Sequence, residues 1–170
     1  MILHRIEATL DMEQPEEQHG FRAGWRMKEH VLTTNLILDK STRFNLPIWI
    51  VSLDLSKAFD RVHWPALWRT LRRQGVSDHV AWLLETLYAD QRGQVMGQSN
   101  DVSDDFEISA SVRQGCVLSP RLFCAVLREA MRSWRYAEER NGLNVQDGLQ
   151  HLLDLRFADD ILLFAETSHR

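Results

Sequence analysis

Two adjacent aspartates, Asp159 and Asp160, lie inside the apolar stretch LRFADDILLFAE and are the first candidates for chemistry. Neighbouring carboxylates repel each other, and an apolar setting makes both charges harder to solvate. Aspartate is also a common turn residue, because its side chain bonds nearby backbone amides. Taken alone, the pair is therefore better explained as an acidic two-residue turn between strands than as a functional site.

A third aspartate favours the functional interpretation. The run IWIVSLDL, residues 48–55, is short and apolar on both faces, which is typical of a buried strand, and Asp54 lies at its end. If this strand neighbours the later hairpin, Asp54 and Asp159 converge with Asp160 beside them. Hard divalent cations prefer clustered carboxylate oxygens, and Mg²⁺ pairs one or two carboxylates with substrate phosphates. Two such ions, about 3.5–4 Å apart, activate a hydroxyl and stabilise a leaving oxygen in phosphoryl transfer.

The elements that must position these residues are predicted to form an α+β fold, with helices packed against a largely antiparallel sheet. Apolar periodicity, proline and glycine positions define the segments. In chain order they are a helix at 28–44, the strand at 48–55, helices at 63–75 and from Ser77 to Leu87, a hairpin at 93–112, a helix from Ser119 to near Gly142, and a hairpin at 152–165.

Composition describes a globular chain of 170 residues, 44% hydrophobic and 26% charged, which is long enough for one domain. No stretch approaches the roughly 20 apolar residues of a membrane span, and no signal peptide begins the chain. We therefore expect an intracellular protein without membrane contact. The net charge of −4 argues mildly against nucleic-acid binding, but arginines and lysines cluster locally, so a basic face and ordinary solvated helix faces both remain open.

Four motifs in register identify a family resemblance. QHGFRAG, VSLDLSKAFDRV, SVRQGCVLSPRLF and LRFADDILLFA occur in an order and at spacings that resemble reverse transcriptases, most closely those of non-LTR retrotransposons. The resemblance extends from about Gln18 to Ala165. It implies a polymerase palm at 48–170, with an antiparallel sheet on helices, preceded by part of the fingers region at 1–47. It also implies that the helical thumb and the last palm motifs are absent from this chain.

The resemblance implies a reaction and a set of partners. Asp54 and Asp159 would hold two catalytic Mg²⁺ ions, with Mn²⁺ as an alternative, and Asp160 would complete the acidic cluster. A primer 3′-hydroxyl would attack the α-phosphate of a dNTP on an RNA template, with a DNA primer as the strand that grows. A retrotransposon origin suggests that this takes place in the nucleus or the cytoplasm, and the oligomeric state is left open.

The same resemblance assigns nucleotide-binding and primer-proximal residues. Phe59 would underlie the incoming sugar and disfavour a ribose 2′-hydroxyl, Gln114 and Gly115 would lie near the incoming nucleotide, and Arg22 would contact template or triphosphate. Phe157 would pack below the primer end. Each has an ordinary structural alternative: a core aromatic for Phe59 and Phe157, a turn for Gln114 and Gly115, and a surface arginine for Arg22.

Departures from the family pattern keep a second function in view. After GFRAG the family usually continues with small polar residues, whereas this chain has Trp25, Arg26 and Met27. A non-catalytic retrotransposon remnant that binds nucleic acid or a partner is therefore the alternative to a polymerase fragment. A palm-type cyclase is a further alternative, and the RQGCVLSPRLF segment argues against it.

Overall fold

The computed structural model describes residues 2–97, 101–138, 140–145 and 151–166. The chain forms two compact units, which we name the helical unit and the sheet unit. The helical unit comprises Met1–Glu13 and Lys57–Val126, and the sheet unit comprises Gln14–Ser56 and Leu127–Arg170. Helices occur together with antiparallel strands, which confirms the predicted α+β class.

The predicted division into fingers at 1–47 and palm at 48–170 concerns the assignment of family regions and stays a prediction. Within the described ranges no helix is both long and apolar enough to cross a membrane.

The helical unit is built on four α-helices, of which the last continues beyond it. They are α1 (Ile2–Glu13), α3 (Trp64–Arg73), α4 (Asp78–Tyr88) and the first turns of α5 (Ser119–Glu138). Their core consists of leucines and an isoleucine that are at most 1% exposed: Ile6, Leu10, Leu67, Leu71, Leu84 and Leu122. An ion pair strengthens this packing, because the Arg121 guanidinium contacts Glu7 at 2.7 Å and Asp11 at 3.1 Å.

Helices α3 and α4 form where the sequence predicts them, with bounds that differ by one or two residues. Pro65 occupies the first turn of α3, where its missing N–H leaves no hydrogen bond unmade, and Gly75 follows the helix with φ +85°. Ser77 precedes α4 as its N-cap. Leu87 is 48% exposed, whereas Tyr88 is buried. The inward stripe of α4 contains Val80, Leu84 and Tyr88, four residues apart, and Leu87 lies beside it.

The predicted hairpin at 93–112 forms, but with a short ladder. Strands β2 (Arg92–Gly93) and β3 (Phe106–Glu107) are antiparallel, and an isolated bridge joins Met96 to Val102. Residues 98–100 of the predicted hairpin lie outside the described residues. Helix α5 begins at Ser119 as predicted.

The sheet unit places helix α2 (Met27–Phe44) beside a three-stranded antiparallel sheet. The strands are β1 (Trp49–Leu53), β6 (Asp154–Phe157) and β7 (Asp160–Ala165), in the order β1-β7-β6, and a small ladder pairs β4 (Leu143–Asn144) with β5 (His151–Leu152). The core of the unit is the cluster of Leu143, Leu155 and Phe164, packed by the partly buried Ile37, Ile48, Ile50, Leu152 and Leu162.

Strand β1 is not the doubly buried strand that its composition predicts. Trp49 is 53% exposed, Val51 49% and Leu53 37%, whereas Ile50 packs against the core cluster. Successive side chains of a strand point to opposite faces, so the odd-numbered residues share the uncovered face. An apolar run shows that both faces of a strand are suited to burial. It does not show whether other elements cover both faces.

Candidate active site

The register of the sheet brings the predicted catalytic aspartates to one edge of the sheet unit. Strand β1 pairs with β7 as far as Leu53, which lies opposite Ile161. Asp54 is the next residue, and the same register extended by one pair would set it opposite Asp160. Asp159 lies in the turn that joins β6 to β7 at this edge. The prediction that the first strand neighbours the acidic hairpin is confirmed.

The turn itself differs from the predicted pair of aspartates. Phe157 pairs with Asp160, so the two turn residues are Ala158 and Asp159, and Asp160 is already the first residue of β7. Ala158 has φ +60°, a left-handed conformation that an L-residue adopts at a cost. The turn therefore begins one residue earlier than the predicted turn at Asp159 and Asp160. The two carboxylates differ as a result, with Asp159 in the turn and Asp160 in the ladder.

The carboxylates are accessible rather than buried. Asp54 and Asp160 are exposed and Asp159 is half-buried. In the described part of the chain, no three aspartate, glutamate, histidine or cysteine side chains are gathered into a group that could hold a metal ion. The donor set nevertheless has the oxygen chemistry that Mg²⁺ prefers, and such an ion needs only one or two protein carboxylates when phosphate and water supply the rest.

A cavity of about 320 Å³ lies next to this edge, between α2 and the sheet. Phe157 and Asp160 contribute to its wall from the hairpin, Ser52 from β1 and His30 from α2. Phe157 is thus half-buried in the wall of a cavity beside the aspartates, a position that is compatible with both of its predicted roles.

His30 is a residue of this cavity that sequence reasoning missed. Burial lowers the pKa of His30 to about 4, and the neighbouring His19 adds to the lowering. The two imidazoles stack with ring centres 3.6 Å apart, and Nε2 of His30 has no hydrogen-bond partner among the described residues. His30 is therefore neutral at pH 7. Its place on α2, three residues before Thr33 and four before Thr34, gave no signal that distinguishes it from a surface histidine.

Arg22 is engaged within its own segment. Its guanidinium donates hydrogen bonds to the carbonyl oxygens of Pro15 at 2.9 Å and Gln18 at 3.2 Å. It also lies over the ring of Trp25, 4.4 Å from the centroid. Trp25 is one of the residues that depart from the family pattern, and its ring lies against the Arg22 guanidinium. The assignment of Arg22 to nucleotide binding stays a prediction.

Below the turn, a buried group of charges supports strand β6. Arg135 of α5 contacts both Asp154 and Glu17, the latter at 2.5 Å, and Nε of Arg156 lies 2.6 Å from the Asp154 carboxylate. Asp154 and Arg156 are at most 1% exposed. Burial raises the pKa of Asp154, against the opposing effect of Arg156 and Arg135, and burial lowers the pKa of Arg156. Sequence reasoning had treated this strand as simply apolar.

The three remaining predicted residues belong to the helical unit. Phe59 lies in a single 3-10 turn (Phe59–Arg61) and stacks on Phe123 with ring centres 4.9 Å apart, which is the packing expected of a core aromatic. Gly115 has φ +79°, and no described heavy atom comes within 4 Å of the point where a Cβ would lie, so its torsion and not its space requires glycine. Gln114 is exposed and lines an open pocket of about 560 Å³ with Arg113, Asp60 and Arg92.

Comparison with known proteins identifies the family. A family model described as reverse transcriptase (RNA-dependent DNA polymerase) matches residues 1–170. The chain is 31% identical over 169 residues to a Pol polyprotein of the type-1 retrotransposable element R2 from Popillia japonica, covering 97% of this chain and 23% of that protein. It is 29% identical over 167 residues to the corresponding type-2 element R2DM protein from Drosophila melanogaster, covering 98% and 15%.

The fold also matches solved structures. Telomerase from Candida tropicalis, in complex with a fragment of telomeric RNA, matches 98% of this chain and 28% of its own with a TM-score of 0.65 at 15% identity. Telomerase from Candida albicans, again with a telomeric RNA fragment, gives a TM-score of 0.59 at 15% identity over 95% of this chain and 29% of its own. At these identities the likeness shows the fold alone, and the chain spans less than a quarter of the retrotransposon relatives. The match of the family model over the whole length confirms the resemblance read from the four motifs: the chain belongs to the reverse transcriptase family of RNA-dependent DNA polymerases and is similar to those of non-LTR retrotransposons.

Proposed function

We propose that this chain carries the catalytic carboxylates of an RNA-directed DNA polymerase, which extends a DNA primer with dNTPs on an RNA template. The observation that supports this most strongly is the pairing of β1 with β7, since it brings Asp54 to the edge where Asp159 and Asp160 lie. Family membership gives the class of reaction, and the sheet edge is the proposed location of its chemistry.

Asp54 and Asp159 are the proposed ligands of Mg²⁺, with Mn²⁺ as the alternative ion and Asp160 beside them. Asp54 and Asp160 are exposed and Asp159 is half-buried, which suits this role because a phosphate-bearing substrate must reach them. When bound, the ions supply positive charge for the phosphate oxygens and promote loss of the primer hydroxyl proton. A cage of three protein carboxylates is not required, because triphosphate oxygens and water complete the coordination of Mg²⁺.

The carboxylates bind and orient, and no protein side chain acts as nucleophile. The primer 3′-oxygen forms a bond to the α-phosphorus of the dNTP, the bond from that phosphorus to the bridging oxygen breaks, and pyrophosphate leaves. Most of the rate in such a reaction comes from holding the two oxygens in line and from electrostatic stabilisation of the charge that develops. The proposed role of the aspartates is therefore to position the reacting groups through the bound ions.

The nucleotide-binding roles of Phe59, Gln114, Gly115 and Arg22 and the primer-proximal role of Phe157 are part of the proposal. The packing of Phe59 on Phe123 suits a ring that is held in one orientation, which is what discrimination against a 2′-hydroxyl requires. Arg22 would exchange one of its present carbonyl contacts for a phosphate oxygen.

Primer extension tests the proposal. The purified chain is incubated with a primed RNA template, dNTPs and Mg²⁺, beside the Asp159→Asn variant. We expect extension by the wild-type chain and a loss of roughly a thousandfold or more in the variant, the scale seen when one essential catalytic group is removed. Asp39→Asn is the matched control, because Asp39 is an exposed aspartate of α2 in the same unit.

Absence of extension by the wild-type chain at high protein concentration would contradict polymerase activity of this chain. If RNA binding persisted in that case, the result would favour the non-catalytic alternative.

A further inference from the structure

The turn that carries Asp159 is held by a segment 140 residues earlier in the sequence. The side chain of Gln18 is completely buried, and its amide contacts both the N–H and the carbonyl group of Ala158. Nε2 donates to the carbonyl oxygen of Ala158 at 3.2 Å, and Oε1 accepts from the Ala158 N–H at 3.1 Å. Oε1 also accepts from the N–H of Gly20 at 2.9 Å, so the amide makes three hydrogen bonds.

Gly20 brings the two segments into direct backbone contact. A Cβ on Gly20 would lie 2.0 Å from the nitrogen and 2.6 Å from the Cα of Ala158, distances that no real Cβ atom adopts. The partner atoms are backbone and cannot rotate away. Only glycine therefore fits at this position, because any side chain would clash with the Ala158 backbone and displace the turn.

The backbone on either side of Gln18 is anchored to strand β6. The N–H of His19 donates to the Arg156 carbonyl at 2.9 Å, and the N–H of Arg156 donates to the Glu17 carbonyl at 2.8 Å. Glu17 is also held by Arg135. The segment thus runs beside β6 as a short parallel bridge, and the Gln18 side chain is its contact with the turn beyond the strand.

These contacts fall on the one residue of the β6–β7 hairpin that has a positive φ. Ala158 has φ +60°, and this left-handed conformation is unfavourable for a residue other than glycine. Such a conformation persists where surrounding groups determine it. Both backbone polar groups of Ala158 are bound by a single buried amide, so that amide selects the torsion that aims the next residue, Asp159.

We propose that Gln18 is a positioning residue for the catalytic turn: its amide, with Gly20 against Ala158, fixes the direction of the Asp159 carboxylate. This inference rests on the proposed function of Asp159 and deepens it. A displacement of about 1 Å in a catalytic group costs on the order of a hundredfold in rate. Because Asp159 is only half-buried, its direction must be set by the conformation of the turn.

The test replaces the amide without changing its length. Gln18→Met removes all three hydrogen bonds, and Gln18→Glu keeps an acceptor for the N–H groups but cannot donate to the Ala158 carbonyl. The matched control is Gln14→Met, because Gln14 is a buried glutamine of the same segment whose amide has no hydrogen-bond partner among the described residues. Hydrogen exchange of single amides, measured by NMR, and Mn²⁺ affinity, measured by electron paramagnetic resonance, are the readouts.

We expect exchange at the Ala158 amide to accelerate roughly tenfold or more in Gln18→Met, while the Phe164 amide, bonded to Leu153 in the middle of the sheet, keeps its protection. Mn²⁺ affinity should fall by roughly tenfold, as for other groups that orient a metal ligand, with Gln18→Glu intermediate. Gln14→Met should leave both values unchanged.

Two results would overturn the proposal: equal exchange at Ala158 in the Gln18→Met and Gln14→Met chains, or a uniform loss of protection at Ala158 and Phe164, which would make Gln18 a general stability residue. Because exchange at Ala158 needs no catalysis, its outcome is independent of primer extension. A wild-type chain that extends no primer would contradict the proposed function, and the exchange data would still decide whether Gln18 holds the turn.

Discussion

The two strand ends that carry the aspartates are supported unequally. On one side, the β6–β7 turn is bound by the buried amide of Gln18, and strand β6 below it rests on the charged group around Asp154. On the other side, Asp54 follows β1, an edge strand that pairs only with β7 among the described residues and exposes Trp49 and Val51. The direction of Asp159 therefore depends on contacts with residues far away in the sequence. The direction of Asp54 depends on the hydrogen bonds between β1 and β7.

This difference separates two ways of building one site. Substitutions that loosen the turn side should consequently have large effects on stability and metal binding. Substitutions on the outer face of β1 should have small ones.

Asp154→Asn should produce the largest loss of stability. It removes the negative charge between Arg135 and Arg156 and leaves the Arg156 guanidinium buried without a counter-charge. Breaking a buried ion pair from one side costs about 3–5 kcal/mol, measured as the free energy of unfolding in urea. Arg132→Gln, which removes an exposed pair with Glu129, is the control and should cost under about 1 kcal/mol. Equal losses in the two variants would contradict the assigned support of β6.

Gly20→Ala should follow, with a loss of about 3 kcal/mol, because the added methyl group overlaps the Ala158 backbone. Gly24→Ala separates this effect from torsional strain. Gly24 has φ +84°, but no heavy atom of the described residues comes within 4 Å of the point where its Cβ would lie, so alanine there should cost only about 1 kcal/mol. Thermal unfolding of both variants measures the difference. A Gly24→Ala chain less stable than the Gly20→Ala chain would show that the close approach to Ala158 is unimportant.

His30 should make the turn side sensitive to acid. Its pKa is lowered to about 4 in the folded chain, from about 6.5 when unfolded, so the unfolded chain binds a proton first as the pH falls. The stabilisation is complete above pH 6.5 and is lost between pH 6.5 and 4, by at most about 3 kcal/mol. The difference in unfolding free energy between wild type and His30→Phe, followed across this range, isolates the effect from that of Asp154, whose raised pKa acts in the opposite sense. A difference that does not vary with pH would contradict the buried, neutral state of His30.

Val51→Thr should have the smallest effect. Val51 is 49% exposed and its side chain lies on the uncovered face of β1, so threonine keeps the branched shape and the strand propensity. The free energy of unfolding should change by no more than about 0.5 kcal/mol, as for most surface substitutions. Ile50→Thr on the covered face is the comparison and should cost clearly more, because Ile50 packs on the core cluster. Similar losses at both positions would mean that β1 is supported on both faces after all.

Local sequence signals predicted the elements that depend on local chemistry. The helix expected at 28–44 is observed at Met27–Phe44, and Pro65 and Gly75 bound α3 as expected, because caps, proline and glycine act through their own torsions. The convergence of Asp54 with the acidic hairpin was also predicted, from two strand ends and the family motifs.

Features that depend on tertiary contacts were not predicted. The exposure of β1 was missed because composition does not reveal which faces are covered. The turn was assigned one residue late because alanine rarely adopts the left-handed torsion that Ala158 has. Gln18 belongs to the motif QHGFRAG, from which only Arg22 was predicted to have a role. A contact across 140 residues leaves no periodic signature in the sequence.

Binding of Mn²⁺ by the aspartates is the most direct test of the central claim that Asp54 and Asp159 act on the same ions. Affinity is measured for the wild-type chain, Asp54→Asn, Asp159→Asn, the double variant and the Asp39→Asn control. The account predicts that each single change weakens binding by roughly tenfold or more and that the double variant is far less affected than the product of the two losses, as for residues that share a ligand. Losses that multiply, as for two independent sites, or single variants that bind like the wild type, would contradict it.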